Sequence, residues 1–447
     1  MDANMQASAL AVSQGGPGMR ASPPEARRRR KRLARSMRPH RGWRVVAGAF
    51  LVLMVGYGAI YSFSAFAEQI AADFGATRAS VTIIYALNGG MALLVSAVSG
   101  PLADRIGARL TASIGMALVG LGLLLASNAR SLEEVIAGYG LLIGIGVGFA
   151  YVPAVATVQR WFVVYRGTAS GIALSGIGVG TALVPPMSEA LALLGDWRIA
   201  FAICALLAVA TGLAGAAMLD RSPESLGLAP DGRRRRARAP IAAALAAPPV
   251  PMASRSFAQL YCGTMLLSVP VAIPYVLIAD TALSLGHGLT ESLALLGLIG
   301  IGSIAGRFVL ASAADGFGRA RVFLACCAVL AASMAAWAFA ASLLHLQIFA
   351  LLFGAVQGGF VALLPSAVTD RFGGRRAGTV IGVLYTSRAL GLFLGPPLVA
   401  AGIVHAGSSV VPLLMVALLS ALGVMLVARG IGKWPGAAVR LRAALPA

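Results

Sequence analysis

Charged side chains are scarce in this sequence. They make up 12% of the 447 residues, about half of the roughly 25% of an ordinary soluble domain. Acids are the scarcer sign, 16 against 36 Lys and Arg. A soluble chain of this length divides into two or three domains whose surfaces need polar cover, and the polar residues here are too few to provide it. That excludes an ordinary soluble enzyme, and an apolar content of 58% excludes disorder over most of the chain. Paired carboxylates, a nucleophile beside a base and a phosphate loop are all missing, which argues against an enzyme and implies no cofactor. The four cysteines, Cys204, Cys262, Cys326 and Cys327, lie in apolar stretches without metal-ligand spacing and read as small core residues. His287, His345 and His405 fall in connecting loops and suggest neither a metal site nor a proton relay.

The net charge is +20. In a soluble protein that would point to nucleic acid. Here the charge is confined to tails and short loops, and the runs 27–32 and 233–236 flank apolar spans, so they read as topology determinants. No nucleic-acid partner is implied; the partner is a lipid bilayer.

Twelve apolar runs recur from Trp43 onward, each near the roughly 20 residues that a spanning helix needs. They fall at about 44–67, 80–103, 109–127, 134–158, 167–192, 198–219, 257–282, 290–314, 321–341, 346–368, 377–403 and 409–430. The expected fold is an all-α membrane protein of twelve transmembrane helices. The expected division is 1–42 as a basic, disordered cytoplasmic tail, 43–219 as a first six-helix half, 220–255 as a cytoplasmic linker, 256–431 as a second half and 432–447 as a second cytoplasmic tail. With both termini cytoplasmic, 31 of the 36 basic residues lie inside, three (Arg78, Arg130, Arg198) lie in external loops and two lie within spans. This asymmetry supports that orientation. Arginine-rich, lysine-poor usage suggests a GC-rich bacterial genome, hence an inner membrane.

The halves are internally related. Asp104 and Asp315 are 211 residues apart, as are Gly107 and Gly318, Gly167 and Gly378, Gly171 and Gly382, and the pairs Pro185–Pro186 and Pro396–Pro397. One offset held across separated regions indicates duplication, and two six-helix halves with a site between them make a transporter architecture.

Between spans 2 and 3 stands Gly100-Pro-Leu-Ala-Asp104-Arg105-Ile-Gly107-Ala-Arg109. Gly100 allows close helix approach, Gly107 permits a tight turn, and Asp104 can meet the positive end of a neighbouring helix or a basic partner. The pattern resembles the hallmark loop of the major facilitator superfamily. A weaker echo around Asp315 and Gly318 follows span 8, with Ala311 and Gly316 where the first copy has glycine and Arg105. Tyr151-Val-Pro153, Arg160-Trp161-Phe162, Arg166-Gly167-Thr-Ala169-Ser-Gly171 and Gly176-Ile-Gly178-Val-Gly180 are similar to the span 4–5 region of the oxalate:formate antiporter and monocarboxylate transporter families.

Arg307 and Arg388 are the two basic residues deep within spans. Each costs about 2.5–3.5 kcal/mol on insertion scales, so neither is casual. Arg307 sits eight residues before Asp315, roughly 12 Å from the turn, and Arg388 ten residues beyond Gly378, roughly 15 Å in. Gly300, Ser303 and Ala311 share a face with Arg307, and Tyr385 and Gly391 with Arg388, which leaves room for a cavity. Subtracting 211 gives Ser96 and Ile177, so the charges belong to the second half alone. Glu189 and Asp280 are the candidate internal partners; the alternative is that the substrate supplies the anion, since a guanidinium suits a carboxylate.

The resemblance implies the same. Transporters of the oxalate:formate family carry an essential basic residue in span 8 and another in span 11, and Arg307 and Arg388 fall on those positions. Monocarboxylate transporters usually have an acid one turn before the span 8 arginine, where this chain has Ser303. Tyr57, Tyr61, Tyr151, Tyr385 and Gln357 are the expected remaining lining of the substrate site. Gly100, Asp104, Arg105, Gly107, Arg109 and Asp315 are the expected gate. The expected function is secondary transport of a small carboxylate by alternating access, by a monomer, with a proton or counter-anion as the coupled species. An efflux carrier for another small molecule would not need two buried arginines, and a carrier-like sensor would want a soluble output domain larger than any loop here.

Overall fold

The computed structural model describes residues 40–193, 196–232 and 251–432. The N-terminal tail through residue 39, residues 233–250 of the expected linker and the C-terminal tail beyond 432 lie outside the described residues.

Eleven helices among the described residues are long and apolar enough to cross a membrane. They are span 1 (Arg41–Ser62), span 3 (Ala108–Ser127), span 4 (Leu132–Trp161), span 5 (Arg166–Ala192), span 6 (Trp197–Ala217), span 7 (Arg255–Ser284), span 8 (Leu289–Phe317), span 9 (Arg319–Ala338), span 10 (Leu343–Phe372), span 11 (Ala377–Ala406) and span 12 (Val410–Ile431). Span 2, expected as one run, is broken at Val95 into Arg78–Leu94 and Ser96–Ile106, 17 and 11 residues long. Counted with it, the architecture has twelve spans. Short turns with glycine in the left-handed region end spans 2 and 8: Gly107 and Gly318 both have φ 102°, so the duplicated loops share one backbone geometry.

Glycine rows let the spans press together, as membrane helices without a hydrophobic drive between them require. Along spans 8 and 10, Gly302, Gly306, Gly354 and Gly358 face the partner's backbone. A Cβ at Gly306 would stand 1.9 Å from the Ala355 carbonyl oxygen, and one at Gly358 would stand 2.1 Å from that of Ser303. This contact brings span 10 against the turn of span 8 that carries Ser303 and Arg307. Span 5 packs likewise on span 1: a Cβ at Gly176 or Gly180 would lie 2.3 Å from the Phe50 or 2.1 Å from the Met54 carbonyl oxygen.

The halves, spans 1–6 and 7–12, meet through two crossings related by the same 211-residue shift. At one, a Cβ on Gly167 would meet Ala311 O at 2.3 Å and one on Gly171 would meet Arg307 O at 2.2 Å. At the other, a Cβ on Gly378 would lie 2.5 Å from Gly100 O and one on Gly382 would lie 2.1 Å from Ser96 O. Both crossings lie at the end that carries the 2–3 and 8–9 loops, called the basic end below. At the opposite end, Asp73 accepts from the Trp197 indole and the Arg198 guanidinium, which hold its carboxyl below the ordinary range.

Because Gly306 faces backbone, relief by a rotamer change is impossible there. Gly306→Val should destabilise the protein by about 1–3 kcal/mol or more, seen as a lower melting temperature in detergent. Gly297, which has nothing within 4 Å of its would-be Cβ, should tolerate alanine.

Candidate functional site

Arg307 and Arg388 are both buried, 7% and 6% exposed. Arg307 Nη1 donates to the Leu174 carbonyl of span 5 at 3.1 Å, so the guanidinium reaches across to the first half. Arg388 rests on aromatic faces, its Cζ 5.2 Å from the Tyr385 ring centroid and 5.7 Å from that of Phe360, a range in which cation–π attraction operates. The Nε of each arginine is buried without a hydrogen-bond partner among the described residues. Among the described residues no carboxylate lies within 4 Å of either: the ion pairs present involve other arginines and His287. Glu189 and Asp280, the internal partners considered above, are exposed and pair with neither arginine.

The tyrosines connect the two charges. Tyr57 lies within electrostatic reach of both Arg388 and Arg307. Its ring meets Tyr151 edge-on at 5.6 Å. Tyr151 stacks on Tyr385 at 5.3 Å across the halves, with the hydroxyls 3.5 Å apart. Arg307 is within reach of Tyr151, Tyr57, Tyr61 and Tyr275. Tyr61 and Tyr275 are 36% and 44% exposed, and both lie toward the ends of spans 1 and 7 that face away from the basic end. Gln357 accepts from Ser303 Oγ at 2.9 Å, one turn before Arg307. The structure therefore gathers Arg307, Arg388, Tyr57, Tyr61, Tyr151 and Tyr385 into one connected set, with Gln357 joined to it through Ser303. Tyr275 and Phe360 complete it. Tyr275 was open to detection only as a tyrosine following the two prolines of span 7.

At the basic end a different chemistry binds the halves. Asp104, at the end of span 2, accepts from the amides of Gly378 and Thr379 at 3.2 and 2.8 Å, from Thr379 Oγ1 at 2.7 Å and from Arg160. Asp315, at the end of span 8, accepts from the amides of Gly167 and Thr168 at 2.9 and 2.8 Å, from Thr168 Oγ1 at 2.9 Å and from Arg319 at 3.0 Å. Each acid thus seats on the first turn of a span in the other half, where free amides and the helix dipole favour an anion. The threonines, like the glycines before them, are 211 residues apart. Asp370 ties the two halves further, accepting from Arg166 and, at 2.6 Å, from Arg319 Nε. Ser170 and Ser366 face each other across the halves at 3.1 Å.

Of the remaining expected gate residues, Gly100 and Gly107 shape the loop as described. Arg105 is exposed and contributes its carbonyl, which accepts from Arg221 at 2.8 Å. Arg109 pairs with Asp220 within its own half, at 2.9 Å. Arg160 is the basic partner that Asp104 meets.

A family model described as Major Facilitator Superfamily matches residues 48–396 and 260–433. Monocarboxylate transporter 12-B of Danio rerio is 25% identical over 384 residues, 80% of this chain and 80% of that protein. Monocarboxylate transporter 11 of Mus musculus is 31% identical over 255 residues, 55% and 53% of the two chains. The solved structure of the proton:xylose symporter XylE bound to 6-bromo-6-deoxy-D-glucose superposes with a TM-score of 0.69 at 15% identity, covering 90% of this chain and 98% of that one; it is similar in fold. With twelve spans in two related halves, this chain belongs to the Major Facilitator Superfamily and is a membrane transporter, not an enzyme.

Proposed function

We propose that this transporter carries a small organic carboxylate by alternating access, with Arg307 and Arg388 as the anion's partners. The observation that carries the reading is the pair of buried guanidiniums, each with an unpartnered Nε and no carboxylate within 4 Å among the described residues. A buried charge without a counter-charge is costly. A carboxylate between the two would satisfy both, through forked, charge-assisted bonds. The tyrosine hydroxyls around the site are further donors for an acceptor-only ligand, and their rings suit a short carbon skeleton. Relatives named as monocarboxylate transporters support the same class.

The concentration of arginine at the basic end favours a cytoplasmic location for it. The substrate enters from the opposite end, past Tyr61 and Tyr275, and reaches the arginines while Asp104 and Asp315 hold the basic end shut. Release of both acids from the helix starts lets the halves rock and opens the site inward.

Two outcomes test this. Arg307→Gln and Arg388→Gln should each weaken carboxylate binding by about ten- to hundredfold, the loss of one charge-assisted bond, with folding and membrane insertion retained. Arg→Lys at either position should lose less, because the charge stays while the fork is lost. Scintillation-proximity binding of labelled short-chain carboxylates to the purified variants reads this, and undiminished binding in both Gln variants would remove the arginines from the site. Asp104→Asn, by contrast, should slow exchange much more than it weakens binding, because Asp104 touches helix ends and not substrate. Equal losses in uptake rate and affinity, measured on one preparation, would count against a gating role.

A further inference from the structure

Asp231 lies in the connection that leaves span 6, apart from the arginine site and from both acid-to-helix clamps. It is 4% exposed, and its backbone is left-handed, φ 59° and ψ 23°, the one such non-glycine position among the described residues. Its carboxylate accepts from two consecutive amides, Val163 at 3.2 Å and Val164 at 3.1 Å.

Those two amides open the segment that the other half grips. The Val164 carbonyl accepts from Arg319 at 3.4 Å. Arg166 reaches Asp370 and also lies within electrostatic reach of Asp231. The amides of Gly167 and Thr168 donate to Asp315. Four amides between 163 and 168 therefore point at carboxylates: two are held by the connection, two by the opposite half. Amides ahead of a helix and in its first turn have no partner within the helix, and an anion is their natural complement.

The rest of this stretch is fastened to the same half. Arg109 pairs with Asp220 at 2.9 Å, the Trp161 indole donates to the Asp220 carbonyl at 3.0 Å, and Arg221 donates to the Arg105 carbonyl at 2.8 Å. Residues 220–232 thus behave as part of the first half. Among the described residues the second clamp has no such brace. A shift of 211 takes Val163 and Val164 to Gly374 and Arg375, and among the described residues no carboxylate accepts from those amides.

We propose that Asp231 is a positioning residue for the clamp between spans 5 and 8: the connection fixes the turn ahead of span 5 so that Asp315 can close on it. The inference rests on the gating role of Asp315 given above and is independent of which substrate is carried.

The test uses the full chain with its four cysteines replaced by alanine and Ser366→Cys added. Ser366 is fully buried and faces Ser170 across the halves, so a thiol there becomes reachable when the basic end parts. The readout is the rate of labelling by a membrane-impermeant maleimide applied from the basic end, at a temperature well below melting. Asp231→Gly keeps the left-handed backbone and removes the carboxylate; Asp231→Asn keeps the backbone and one acceptor. Asp315→Asn is the control for the clamp itself.

Asp231→Gly should raise the labelling rate about tenfold, the population change that follows loss of one hydrogen bond to a charged group, and Asp231→Asn should raise it less. Labelling of both variants at the parent rate, with Asp315→Asn labelling fast, overturns this proposal and leaves the clamp intact. Parent-rate labelling of all three, including Asp315→Asn, overturns the clamp and this proposal with it. A lower melting temperature with unchanged labelling of the folded carrier would make Asp231 purely structural, and also overturns it.

Discussion

The constraint on which the structure turns is two guanidiniums buried deep within spans 8 and 11 with no acid beside them among the described residues. Each costs about 2.5–3.5 kcal/mol to place there, and the surroundings are arranged around that cost. The glycine rows of spans 8 and 10 draw Gln357 to Ser303, a turn from Arg307. The Leu174 carbonyl takes one Arg307 hydrogen, and the rings of Phe360 and Tyr385 hold Arg388. None of these contacts supplies a negative charge. Asp104, Asp315 and Asp370 lie at the basic end, where helix starts and arginines receive them, and the centre is left to hydroxyls and aromatic faces.

Two kinds of interaction therefore divide the labour between the halves. At the basic end, carboxylates from one half cap helices of the other, twice, by a geometry that duplication repeats to the residue: Asp104 on Gly378 and Thr379, Asp315 on Gly167 and Thr168. At the centre the halves touch through Tyr151 and Tyr385 and through Arg307 on Leu174. The first set is symmetric and the second is not, because both charges came into the second half alone. On the proposed mechanism, a symmetric frame would rock around an asymmetric site.

Much of this was legible in the sequence, for physical reasons that particular residues show. Long apolar runs leave little choice but helices, and the 211-residue offset marks the glycines and acids that later meet across the halves. Arg307 and Arg388 stand out because charge in an apolar run is expensive. The break of span 2 at Val95 was hidden, since hydropathy averages over it. Asp370 was hidden because its partners Arg166 and Arg319 are 204 and 51 residues away and its duplicate position, Gln159, is neutral. Arg105 adjoins Asp104 in the loop pattern, yet one helical step turns a side chain by about 100°; Asp104 faces span 11 and Arg105 faces out. The packing of residues 220–232 onto the first half leaves no periodic trace at all.

The proposed site is one made for a negative charge. It is tested most directly by uptake into proteoliposomes of paired substrates that share a carbon skeleton, one a short carboxylate and the other its neutral amide, with protein-free liposomes as reference. Saturable uptake of a carboxylate, and none of its amide above the reference, is the expected result. Equal, saturable uptake of both, or of the amide alone, would contradict it.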